Sequence, residues 1–224
     1  MNVRVFGDPR LFEIGRFPVT ETMVASLGVS AVLFVLGAWF RFAVLNRPES
    51  MTAALGKFAV QWLDTTVEEI IGRPEPAVAT LTGSLFIFIA ACNISGQLPG
   101  VHPATASLTT TSALAIVVFL AVPLAGIRVR GLWGYIKHYF SPNPLLLPLH
   151  LVSEVSRTVA LAMRLFGNIM SGHLVVGLLV ALAGFLVPMP FMALDLLIGL
   201  LQAYIFFVLS TVFIGAAVGA GEKT

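Results

Sequence analysis

From Pro76 to Ile127 the chain contains no aspartate, glutamate, lysine or arginine. A hydrocarbon layer of roughly 30 Å takes up only about 20 residues of such a run as one helix, so it must fold back. The centre of the run, "NISGQLPGVHPATAS", supplies the proline and glycine that break it. Residues 77–127 are therefore predicted to form a two-helix hairpin with a short polar turn. His102, beside that turn, reads as a solvated residue. Composition agrees with this reading. Of 224 residues 58% are hydrophobic and 11% charged, and the mean hydropathy is +0.95, far above a soluble domain of this size. A net charge of +2 suggests no nucleic-acid surface.

Other stretches fit the same solvent. Between Glu21 and Arg41 no charge occurs, and residues 22–40 are long enough for a first span. Residues 51–71 differ: Lys57, Gln61, Asp64 and Glu68 fall on one helical stripe and Met51, Leu55, Phe58 and Trp62 on another. That pattern predicts an amphipathic helix lying in the interface. Residues 149–187 contain no helix breaker before "PMP" at 188–190. At about 1.5 Å per residue they would make a rod of roughly 58 Å, about twice the bilayer core, so the helix must tilt steeply or break. Residues 191–217 form the last apolar helix, packed against the long one. The fold class expected is all-α: one integral membrane domain, 1–224, of about five membrane helices plus the interfacial helix. The N-terminal segment mixes Arg4, Arg10 and Arg16 with Asp8, Glu13 and Glu21, unlike a targeting peptide, and reads as part of the mature protein.

Lysine and arginine concentrate in two connections, Arg41, Arg47, Lys57 and Arg73 in one and Arg128, Arg130 and Lys137 in the other. Short basic loops stay on the cytoplasmic side. This places the N-terminus outside and the C-terminus in the cytoplasm, provided 149–187 crosses once.

Ionisable groups inside apolar helices cost on the order of 3 kcal/mol each at the bilayer centre and therefore need an explanation. The long helix holds Glu154, Arg157, Arg164 and His173, and the last helix holds Asp195. Arg157, Arg164, Asn168 and Ser171 share one helix face, with His173 about 180° from Arg164. Arg164 has no acid three or four residues away, so its natural partner is a carboxylate on another helix or chain. Glu154 and Arg157, near the helix start, could simply snorkel to the interface. Asn168 and Gln202 could be interhelical glue. Asp195 could meet His173 across the "PMP" turn, although their depths differ by about 15 Å in upright helices, so only strong tilt brings them together. The single cysteine, Cys92, offers no disulfide and no clustered thiolate site and reads as a small buried residue.

The run "SEVSRTVALAMRLFGNIMSGHLVVGLL" resembles the signature of the subunit a family of F-type ATP synthases, whose arginine is followed by Leu-Phe-x-Asn. "NISGQLPGVHPATASLTTTSALAI" is similar to that family's Asn-x-x-Gly-x-x-Pro hairpin, and "LLQAYIFFVLSTVFIGAA" to its last helix. The resemblance covers roughly residues 80–217; residues 1–75 agree only in pattern. It implies a stator subunit of the membrane Fo sector, not an enzyme on its own, pressed against a rotating ring of c subunits. It further implies b subunits of a peripheral stalk and the F1 sector, reached through the stalks, as partners, with no cofactor and no metal.

Residue by residue, the resemblance implies that Arg164 faces the ring carboxylates and separates two ion half-channels. It puts Asn168 and Gln202 near that arginine as polar support, and His173 and Asp195 in the outer half-channel. The family often has Glu then His at the last two positions, so this chain exchanges acid and base. Glu154 and Arg157 become candidates for the cytoplasmic half-channel. His150 stands where some members have glutamate. The ion is expected to be the proton, with a sodium-translocating version as the alternative, and the site a bacterial plasma membrane. A secondary transporter is the competing class, but the paired repeats and discontinuous helices of such folds are not found in the sequence. A purely structural scaffold is the other, and the intramembrane charges argue against it.

Overall fold

The computed structural model describes residues 10–14, 17–46, 49–97, 104–140, 147–184 and 187–219, with the side chains of 10–19, 130, 135–140, 147, 150, 151, 173 and 183 outside the description. Strands β1 (Arg10–Ile14) and β2 (Phe17–Thr20) pair antiparallel, with Phe12 opposite Val19 and Ile14 opposite Phe17. This hairpin is an addition to the helical fold expected from the sequence. Its last residue starts the first helix, α1 (Glu21–Asn46), because the Thr20 hydroxyl accepts from the Met23 N–H at 3.4 Å. A side chain doing this at a helix start satisfies a donor the helix itself cannot.

Among the described residues five helices are long and apolar enough to cross a membrane: α1, α3 (Pro76–Ser95), the Leu108–Val129 part of α4 (Leu108–Phe140), most of α5 (Leu147–Ala183) and α6 (Met189–Gly219). Proline at the first position of α3 costs no hydrogen bond and presets its φ. Near the other end of the hairpin, Gly131 takes φ 72° and ψ 164°, which ends the apolar part of α4 just after Arg128 and Arg130. A residue with a Cβ rarely adopts that φ.

The amphipathic helix α2 (Met51–Ile71) is capped at both ends. Ser50 accepts from the Ala53 N–H at 3.2 Å, and the left-handed Gly72 donates to the Glu68 carbonyl at 2.7 Å. Ala53, Leu63 and Val67 form its packed face, whereas Met51, at 80% exposed, and Phe58, at 69%, turn outward with Leu55. The helix thus has three faces: one packed on the protein, one apolar and exposed, and one polar. An exposed apolar stripe beside a polar one suits a position at the lipid boundary.

Among the described residues two clusters form the core, and α6 belongs to both. Phe206 joins Leu85 and Ile89 of α3, Leu114 and Val118 of α4, and Leu161, Leu165 and Ile169 of α5. Phe207, the next residue, joins Leu63 and Val67 of α2 and Val78 of α3. Close approach is possible where glycines face larger side chains, as with Gly83 against Leu63 and Gly215 against Ile71. Without a hydrophobic drive between helices in lipid, such fit carries much of the association. A buried hydroxyl pair, Thr211 donating to Thr82 at 3.2 Å, also ties α6 to α3.

Candidate functional site

The C-terminal end of α3 and the N-terminal part of α6 lie side by side and exchange polar contacts. Asn93 donates from Nδ2 to the Gly199 carbonyl at 2.6 Å, and Gln97 donates from Nε2 to Oδ2 of Asp195 at 3.3 Å. The two α3-end residues are four apart, as are the two on α6, so the contacts form successive rungs of one ladder. Thr105, in the short 3-10 turn Ala104–Ala106, completes that Asn93 rung by donating to Oδ1 of Asn93 at 3.3 Å. Asn93 and Thr105 are buried. Gly199 makes room for this contact, since a Cβ at that position would stand 3.1 Å from Nδ2 of Asn93 and would require Asn93 to give by a few tenths of an ångström.

On the other side, Asp195 lies directly on Gly172 of α5, in the space that a Cβ at 172 would occupy. The separation in depth expected for upright helices is therefore closed, and Asp195 reaches the residue before His173. The His173 side chain itself, and that of His150, lie outside the described residues.

Arg157, Arg164 and Ser171, each seven residues apart on α5, are all exposed, while Leu161, Leu165 and Ile169 turn into the core. Arg164 thus projects from a spanning helix, with no ion pair to it among the described residues. Arg157 is held differently, its guanidinium carbon 5.3 Å from the centre of the Phe213 ring of α6. That contact is a cation–π interaction, which favours a cation over the ring face. Glu154 is half-buried one turn earlier.

Asn168 and Gln202 each bury an amide nitrogen, Nδ2 and Nε2 respectively, that has no hydrogen-bond partner among the described residues. A buried donor left unpaired costs about 1–3 kcal/mol. Among the described residues no three His, Cys, Asp or Glu side chains gather as a metal site, and Cys92 is a buried free thiol.

The contacts of Asn93, Gln97 and Gly172 with α6 are absent from the sequence reading. A signal for them exists in the matched spacing of four between Asn93 and Gln97 and between Asp195 and Gly199. It gains meaning only once α3 and α6 are known to be neighbours.

Taken together, fold and site define a multi-pass helical membrane protein with a polar seam at one end of its bundle and a fixed cation on an exposed helix face. The family model described as ATP synthase A chain matches residues 22–215, and the chain belongs to that family. It is 44% identical over 213 residues to "ATP synthase subunit a 2" of Bradyrhizobium sp. (strain BTAi1), covering 95% of both chains. It is 42% identical over 205 residues to the protein of the same name from Acaryochloris marina, covering 91% of this chain and 87% of that one. With "ATP synthase subunit a" of Legionella pneumophila (strain Philadelphia 1) the identity is 37% over 214 residues, covering 94% and 92%.

Proposed function

We propose that the chain acts as the stator subunit a of an Fo sector, passing protons through two half-channels to and from the carboxylates of a c ring and so coupling an ion gradient to ATP synthesis. Family membership supports this reading, and Arg164 carries it. A guanidinium exposed on a spanning helix, with no ion pair among the described residues, is suited to an anionic partner from outside the chain. A passing ring carboxylate supplies one. Arg164 favours its ionised form and so drives ion release, and being permanently charged it cannot relay protons itself. The same charge blocks a direct leak between the half-channels.

His173 and Asp195 line the outer half-channel in this reading. Imidazole, with an ordinary pKa of about 6.5, exchanges protons readily near neutral pH. The unpaired amides of Asn168 and Gln202 offer polar support beside the arginine, and Glu154 and Arg157 line the cytoplasmic path. The b subunits and the F1 sector complete the assembly in a bacterial plasma membrane. The N-terminus lies outside, the C-terminus inside, and α5 runs steeply tilted through the bilayer.

The test uses vesicles containing the whole complex. Arg164→Ala is expected to abolish ATP-driven proton pumping while the complex still assembles. Normal pumping by that variant would overturn the assignment.

A further inference from the structure

We infer that Gln97 is a positioning residue that fixes the carboxylate of Asp195 in the ion path. The inference rests on the proposed role of Asp195. Two contacts hold that carboxylate and a third sets the register beside it. Gln97 donates to its Oδ2 at 3.3 Å. Gly172, on the other side, leaves the space that the carboxylate fills. One turn further along α6, Asn93 binds the Gly199 carbonyl at 2.6 Å and fixes the register of α3 against α6. With that register set, the residue four after Asn93 must come opposite the residue four before Gly199. Gln97 is therefore held opposite Asp195 by the rung beside it.

The chemistry of the pair is specific. An amide nitrogen can only donate, and a carboxylate oxygen accepts most strongly when ionised. A carboxylate between a donor and a bare backbone has a single preferred orientation, whereas one without the donor can rotate about its side-chain torsions. Gln97 thus holds Oδ2 while Oδ1 lies against Gly172, and the two contacts together set the orientation that the carboxylate presents to an arriving ion. Leucine at 97 would fill much the same volume but provide no donor.

The complex in vesicles, making ATP under an imposed gradient with its outer half-channels facing the ion-rich side, reports both the maximal rate and the ion concentration on that side that gives half of it. Gln97→Leu and Gln97→Glu are expected to move that half-saturating concentration by about tenfold, the scale of one hydrogen bond to a charged group. Gln97→Asn, which retains the amide, is expected to move it less. In an Asp195→Asn background Gln97→Leu should add little to the effect of the first substitution on transport and on thermal dissociation of the complex, because the two residues act as one unit. If the single Leu variant keeps the wild-type half-saturating concentration, or if its effect adds in full to that of Asp195→Asn, Gln97 does not position Asp195. Wild-type transport by both Asp195→Asn and Asp195→Ala would instead remove the half-channel role of Asp195 itself.

Discussion

At position 172 a methyl group would have to share space with a carboxylate. Alanine is ordinarily the better helix former than glycine by about 1 kcal/mol, yet the Cβ at 172 would fall on Asp195. Overpacking of this kind costs about 1–3 kcal/mol and displaces whichever side chain can move. Gly172→Ala is therefore expected to cut ion pumping at least tenfold by moving Asp195, without loss of the subunit from the complex. Gly177, on the same helix, has nothing within 4 Å of its Cβ position, and Gly177→Ala should pump close to the wild-type rate. Equal pumping by both variants would show that the Asp195 contact is unimportant. Single residues of this kind were only half legible in the sequence. The oddity of Arg164 and Asp195 is visible because charge is rare in an apolar run. Gly172 is silent because glycines are common in membrane helices, and only a neighbour gives this one a purpose.

Aromatic packing ties α6 to α2 and α3. Phe207 is fully buried and its ring lies 6.3 Å from that of Trp62 and 5.7 Å from that of Phe86, centre to centre. Phe207→Ala is expected to destabilise the subunit by about 3–5 kcal/mol, the usual cost of emptying a large aromatic site. Thermal dissociation of the purified complex would record this as a clear fall in midpoint, and an unchanged midpoint would contradict the packing described. The run of α6 is plain in the sequence, but its buried face is not. Lipid and core are both apolar, so hydrophobicity marks the helix without marking its inner side. The same ambiguity governs α2, where the apolar stripe of Met51, Leu55 and Phe58 stands exposed and the packed face uses Ala53, Leu63 and Val67. A small residue such as Ala53 gives no sequence signal that competes with a neighbouring methionine.

For the molecule as a whole, the distribution of lysine and arginine makes a claim about sidedness that labelling can check. Cys92 is buried and should contribute little background. A cysteine introduced by His102→Cys is expected to react with an impermeant reagent only in right-side-out vesicles, and one introduced by Lys223→Cys only in inverted vesicles. Reaction of both from the same side would overturn the proposed orientation. At this scale the sequence is most informative, because the cost of charge in lipid writes the succession of apolar helices into composition. The short β1–β2 hairpin is invisible by comparison, since it lies among mixed charges and needs no long run to form. One further property follows from Phe206 and Phe207, neighbours that enter different clusters. A cylinder gripped along two lines cannot roll about its own axis. Contacts on two sides of α6 oppose its rolling, and so favour keeping Asp195 against Gly172.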